Sequence, residues 1–133
     1  MAYARTNKLS EAKSELAKLK ILVADPFMEY TISGFNSFEN VLSIGQNVLE
    51  GEIEAKQKNY DKAIQLVTNA VEIEDNLLYQ EPPDWYHPSR QILGSILLEA
   101  RKPALAEQRF REDLNQYRKN GWSLFGLYQS LQA

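Results

Sequence analysis

The chain has 133 residues, of which 44% are hydrophobic and 25% are charged, as in one ordinary globular domain. Its net charge of -3 argues against a nucleic-acid-binding protein, which normally carries a basic face. The absence of cysteine excludes disulfides, thiolate nucleophiles and cysteine-ligated metals. No apolar run approaches the roughly 20 residues that cross a bilayer, and residues 1–8 lack the apolar core of a secretion signal. We therefore expect a cytoplasmic protein without membrane insertion.

The first half of the chain predicts two helices separated by an irregular connector. Residues 9–23 carry apolar or small side chains at steps of three and four, the spacing of one helix face. Asp25-Pro26 ends this helix because proline disfavours helical geometry in the residue before it. The connector, residues 25–37, combines strand-favouring and turn-favouring residues and leaves room for a short helical turn. Ser37 is a suitable N-cap for a long helix over residues 38–58.

The second half predicts four further helices. The first spans residues 61–78 and is stopped by the two prolines of a turn over residues 81–87. Helix resumes over residues 88–100, and Pro103 opens the next one, because proline suits the first helical turn. Asn120-Gly121 ends that helix, and a terminal helix follows to residue 131. The predicted fold class is all-α.

Small residues recur at a fixed spacing across predicted turns. Ala63 follows Gly51 by twelve residues, and Ala106 follows Gly94 by twelve residues. Because small side chains let two helices approach closely, this spacing predicts a stack of antiparallel helix hairpins. Stacks of this kind usually bind other proteins.

The motifs resemble those of the tetratricopeptide repeat (TPR) family, whose pattern reads Trp-x2-Leu-Gly-x2-Tyr and then Ala-x3-Phe. Leu93-Gly94-x2-Leu97 followed by Ala106-x3-Phe110 matches much of it, and Trp122-x2-Phe125-Gly126 matches the opening of a further repeat. The resemblance implies a TPR-like α-solenoid with irregular inter-repeat insertions. It divides the chain into a partial repeat (2–24), the connector (25–37), a repeat (38–80), the Pro-rich turn (81–87), a repeat (88–118) and a terminal helix (121–132).

The match to the family is incomplete. Glu50 and Glu54 stand where the family has leucine and tyrosine. Gly94 lies 43 residues after Gly51, which exceeds the family's 34 and indicates an insertion around residues 77–86. The Pro-rich turn together with the segment around Trp122 resembles a subgroup of longer bacterial repeat proteins.

The resemblance implies a non-catalytic module that binds a peptide or protein segment in a concave groove, with no cofactor. Glu52 and Glu99 at the edge of that groove predict a preference for an apolar or basic segment. The alternative function is a structural or oligomerisation segment of a larger repeat protein. The apolar edge formed by Leu124, Leu127 and Leu131 predicts either that the chain is a fragment of a longer array or that it self-associates. The predicted groove residues are Val48, Glu52, Gln91, Ser95, Leu98, Glu99 and Leu127.

The aromatic and titratable residues leave two further questions. Trp85 and Tyr86 either pack between helices or form an aromatic ridge that binds a partner, since interfaces favour these residue types. His87 is the single histidine, and with Asp84 it supplies too few ligands for zinc. The sequence has no Gly-rich phosphate loop and no His-Glu-x-x-His or Gly-x-Ser-x-Gly motif, so we do not expect an enzyme.

Overall fold

The computed structural model describes residues 1–32, 35–79 and 81–133. These residues are helical apart from connecting segments and a two-residue antiparallel pairing of Thr31–Ile32 with Asn36–Ser37. A 3-10 helix, Pro26–Glu29, precedes that pairing. The α-helices of the described ranges are α1 (Ala2–Arg5), α2 (Leu9–Val23), α3 (Phe38–Lys56), α4 (Tyr60–Asp75), α5 (Ser89–Glu99), α6 (Pro103–Gln116) and α7 (Gly121–Gln132). The predicted all-α class is confirmed.

Each helix packs against the next one in sequence. Three-residue turns join α1 to α2, α3 to α4 and α5 to α6, so these pairs are helical hairpins. A second set of contacts joins α1 to α3, α3 to α5 and α5 to α7. The odd-numbered helices therefore lie beside one another.

The three hairpin turns share one backbone geometry. Each contains a single residue in the left-handed region: Asn7 (φ 61°), Lys58 (φ 64°) and Arg101 (φ 57°). The residue that follows donates its backbone N–H to the carbonyl oxygen five residues earlier, at 2.8–2.9 Å, as in a Schellman motif. Five residues after the left-handed position comes a buried alanine: Ala12, Ala63 or Ala106. Each of these alanines lies in the first turn of the second helix of its hairpin.

The small residues of the hairpin between α3 and α4 meet as predicted. Ala63 and Val67 have no exposed surface. A Cβ atom added at Gly51 would overlap the side chain of Val67 and lie 3.3 Å from the carbonyl oxygen of Ala63. Only a glycine lets the two helix backbones come this close.

A single aromatic ring fills the space between α5, α6 and α7. Phe110 is 2% exposed. A Cβ atom at Gly94 would lie 2.5 Å from its Cζ, and one at Gly126 would overlap the same ring. Gly94 and Ala106 are both buried, as the hairpin prediction requires. The ring thus occupies the volume that side chains at two glycines would need.

The connector (residues 25–37) and the insertion around residues 77–86 contact each other. The buried Asn36 accepts the backbone N–H of Leu78 at 2.8 Å through its Oδ1 atom. Its Nδ2 atom donates to the carbonyl oxygen of Leu78 at 2.9 Å and to Oδ2 of Asp84 at 2.7 Å. Because the backbone N–H and C=O of Leu78 bind the side chain of Asn36, Leu78 does not continue the helix. Helix α4 ends at Asp75, so the prediction of helix to residue 78 is wrong.

Candidate partner-binding groove

A groove with a cavity volume of about 370 Å³ lies along the odd-numbered helices. Most of its lining comes from α1, α3, α5 and α7, which are brought together only by the stacking of the hairpins. The lining residues are Arg5, Glu52, Ala55, Lys56, His87, Gln91, Ile92, Ser95, Ile96, Glu99, Phe110, Trp122, Phe125, Gly126 and Gln129. The groove therefore combines charged, amide and aromatic side chains.

Four of the seven predicted groove residues line this groove: Glu52, Gln91, Ser95 and Glu99. Val48 does not, because it lies one turn earlier on α3, where this face of the helix packs into the hydrophobic core and leaves Val48 with no exposed surface. Leu98 and Leu127 are half-buried against the same core. Val48 is thus a core residue rather than a groove residue, and Leu98 and Leu127 do not line this groove.

The aromatic wall of the groove was not predicted. Trp122 is 76% exposed and Phe125 is 57% exposed, and both project from α7 into the groove lining. Gln129 follows them on the same helix face, at a spacing of four residues from Phe125. Their helical periodicity was the signal that could have identified them. Arg5 carried no such signal, because only tertiary packing brings α1 beside α3.

The charges at the groove edge are paired, contrary to the predicted acidic edge. Nε of Arg5 donates to Oε1 of Glu52 at 2.8 Å. Nζ of Lys56 lies 3.6 Å from Oε1 of Glu99. The acidic residues that predicted a preference for a basic segment are thus neutralised by two basic residues of the same groove.

A buried hydrogen-bond network supports the floor of the groove. Nε2 of Gln91, on α5, donates to Oδ2 of Asp113 on α6 at 3.1 Å. The hydroxyl of Ser123, on α7, donates to the same carboxylate oxygen. These three side chains are at most 6% exposed, so the network fixes the relative positions of α5, α6 and α7.

The two aromatic residues of the predicted ridge have different surroundings. Trp85 is half-buried, and its ring would lie 3.4 Å from a Cβ atom at Gly45 on α3. Tyr86 is 75% exposed, with its ring centroid 5.8 Å from that of Trp85. Trp85 therefore packs on the core rather than forming a ridge, and of the two residues only Tyr86 is available at the surface.

A charge cluster holds the Pro-rich turn at the start of α5. Oε2 of Glu74 accepts the backbone N–H of Ser89 at 2.8 Å. Burial raises the pKa of the Glu74 carboxyl, although the hydrogen bonds to Ser89 oppose that shift. Arg90 donates to both carboxylate oxygens of Asp75 at 2.6 Å, and this bidentate hydrogen bonding raises the pKa of Arg90. The cluster joins the end of α4 to the beginning of α5.

The far side of α7 exposes the predicted self-association residues in part. Leu124 is 48% exposed and Leu131 is 57% exposed, whereas Leu127 packs against the core. Tyr128, which is 59% exposed, lies on the same side of the helix as Leu124 and Leu131. This apolar edge is distinct from the groove lining.

Residues 1–32, 35–79 and 81–133 present neither a metal-binding cluster nor a membrane-spanning helix. No group of three or more histidine or acidic side chains there is placed to hold a metal ion. No helix in those ranges is long and apolar enough to cross a membrane. His87 lines the groove, and its Nδ1 atom is buried without a hydrogen-bond partner among these residues.

Comparison with protein-family models, with curated protein sequences and with solved structures finds no match to this chain. The family resemblance, the bacterial origin and the cytoplasmic location therefore stay predictions.

Proposed function

We propose that the chain is a TPR-like α-solenoid that binds a peptide or protein segment in the groove and does not catalyse a reaction. The observation that carries the proposal is the groove itself, in which residues from five separate helices surround a cavity of about 370 Å³. Trp122 exposes most of its surface there, and tryptophan is among the residues that contribute most to binding at interfaces. Exposed aromatic side chains in a concave site are typical of partner recognition.

The recurrence of one hairpin geometry supports the solenoid part of the proposal. Three turns place a left-handed residue five positions before a buried alanine, and the same backbone hydrogen bond closes each of them. The odd-numbered helices also contact one another in order. Stacked repeats contact their neighbours in this way, and their shared inner side is an extended binding surface.

Retention of a partner by groove variants tests the proposal. The full chain, Trp122→Ala and Tyr128→Ala are immobilised separately, exposed to an extract of the source cells, and the retained proteins are quantified by mass spectrometry. Tyr128 is a matched control, because it is an exposed aromatic residue of α7 outside the groove lining. We expect a partner that the full chain and Tyr128→Ala retain and that Trp122→Ala loses by at least about tenfold. Equal retention by all three proteins would exclude the groove as the binding site.

The exposed edge of α7 favours a second candidate, a structural or oligomerisation segment of a larger repeat protein. Leu124, Tyr128 and Leu131 expose about half of their surface or more, and an uncovered apolar edge of this kind is typical of an interface. Sedimentation equilibrium over a hundredfold range of concentration tests it. The second candidate would be supported if the apparent molecular mass of the full chain rose with concentration while that of Leu131→Glu stayed at the monomer value. A mass of the full chain that stayed constant would count against self-association.

A further inference from the structure

The charged side chains of the groove neutralise one another. Arg5 and Lys56 supply two positive charges, and Glu52 and Glu99 supply two negative charges. Each basic side chain lies next to one acidic side chain. Nη2 of Arg5 is 2.8 Å from Oε1 of Glu52, and Nζ of Lys56 is 3.6 Å from Oε1 of Glu99. The two positive and two negative charges of these four side chains therefore sum to zero.

Glu52 retains an unused hydrogen-bond acceptor. The residue is 7% exposed, and its Oε1 atom accepts from Arg5. Its Oε2 atom is buried and has no hydrogen-bond partner within the described part of the chain. An unpaired buried carboxylate oxygen costs free energy, which a donor on a bound segment recovers. The Arg5 side chain, 54% exposed, has room to shift when such a donor enters.

The opposite side of the groove offers apolar surface. Trp122 and Phe125 are exposed on α7, and Ile92 and Ile96 of α5, each 4% exposed, also line the groove. A segment in the groove therefore meets aromatic rings on one side and a hydrogen-bond acceptor on the other.

We propose that the groove takes an uncharged extended segment of a partner protein, with an aromatic or long aliphatic side chain against Trp122 and Phe125. A backbone N–H of the segment donates to Oε2 of Glu52. This inference rests on the proposed function and specifies its partner. An extended peptide suits the site because its backbone N–H groups are not used within its own chain, as they are in a helix.

A charged partner gains little in this groove. A lysine or arginine near Glu52 also meets Arg5 and Lys56, and an acidic side chain near those bases meets Glu52 and Glu99. The attraction and the repulsion largely cancel. The cost of removing the partner's charge from water is then not recovered.

Selection from a library of random 12-residue peptides displayed on their messenger RNA tests the inference. The library is selected on the immobilised full chain. The selected pool is then split in two, and one half is bound to the immobilised full chain and the other to immobilised Trp122→Ala. We expect the enriched peptides to carry an aromatic or aliphatic centre, to have net charge near zero and to be depleted on Trp122→Ala. Enrichment of peptides rich in lysine and arginine, or in aspartate and glutamate, would overturn the inference and leave the proposed groove intact. Enrichment that Trp122→Ala retains equally, or no enrichment, would overturn the proposed function as well.

Two measurements on a selected peptide test the details. Its Kd should change by less than about twofold between 50 and 500 mM NaCl, because screening affects only net charge–charge attraction. Glu52→Ala should weaken its binding by about tenfold, the effect of one hydrogen bond to a charged group. Glu50→Ala is the matched control, since Glu50 lies on α3 outside the groove lining and pairs with Lys20. A strong salt dependence, or equal Kd values for the two variants, would overturn the assignment.

Discussion

Replacing Gly94 by alanine tests the packing on which the groove depends. The added Cβ atom would lie 2.5 Å from Cζ of Phe110 and 2.7 Å from its Cε1. The ring cannot retreat toward α7, because Gly126 encloses it from the other side. The helices must therefore separate or the ring must leave its position.

The expected loss of stability is about 2 kcal/mol. Overpacking a well-filled core costs roughly 1–3 kcal/mol, and a rigid ring enclosed on two sides places Gly94→Ala at the upper end. The exchange of glycine for alanine inside a helix returns about 1 kcal/mol. For a chain of this size, a loss of about 2 kcal/mol lowers Tm by roughly 8 °C.

Urea unfolding followed by circular dichroism at 222 nm measures the change. Gly45→Ala is the matched control, because its Cβ atom would meet Trp85 at an ordinary 3.4 Å and the helix propensity should then raise stability. Phe110→Leu in the Gly94→Ala background should recover part of the loss, with a coupling of about 1 kcal/mol or more. The packing argument would be refuted if Gly94→Ala and Gly45→Ala had the same free energy of unfolding. It would also be refuted if the effects of Gly94→Ala and Phe110→Leu on that free energy were additive.

Three further changes affect stability. Lys58→Gly should raise the free energy of unfolding by about 1 kcal/mol, because glycine adopts the left-handed turn geometry without steric cost. Glu74→Gln should raise it at pH 7, because burial raises the pKa of Glu74 and the amide oxygen of glutamine still accepts from Ser89. The folded chain holds the Glu74 proton to higher pH than the unfolded chain, so the gain should disappear below the ordinary carboxyl pKa of 4.5. Ala106→Leu should lower stability by roughly 1–3 kcal/mol, because Ala106 has no exposed surface. Urea unfolding measures all three, between pH 4 and 8 for Glu74→Gln.

Each of these changes has an outcome that contradicts its reasoning. Ala17→Gly, at an exposed position inside α2, is the control for Lys58→Gly and should lower the free energy of unfolding by about 1 kcal/mol. A similar decrease in Lys58→Gly would contradict the left-handed geometry of that residue. A stability difference for Glu74→Gln that is constant with pH would contradict the raised pKa. Ala106→Leu with an unchanged Tm would contradict the hairpin register.

Local signals predicted most of the helices. Ser37 accepts the backbone N–H of Asn40 at 3.1 Å, so the predicted cap begins α3 where expected. Pro103 opens α6 as predicted. The end of α4 was not predictable, because it depends on hydrogen bonds between Leu78 and Asn36, residues 42 positions apart in the chain.

The candidate groove was predictable only where one helix sufficed. Glu52, Ser95 and Glu99 were placed from helical register and do line the groove. Val48 shares a helix face with Glu52, but neighbouring helices cover that face one turn earlier, and periodicity within one helix carries no information about neighbours. Arg5 was missed for the same reason, since its role depends on the packing of α1 beside α3.

Asn36 lies in the connector, and its three hydrogen bonds reach Leu78 and Asp84 in the insertion around residues 77–86. The conformation of each of these two segments therefore depends on the presence of the other. Shortening the Pro-rich loop to obtain a regular array would leave the side-chain amide of Asn36 without its hydrogen-bond partners. Trimming the connector would likewise release the backbone of Leu78. The two segments must therefore be shortened as a pair or left in place.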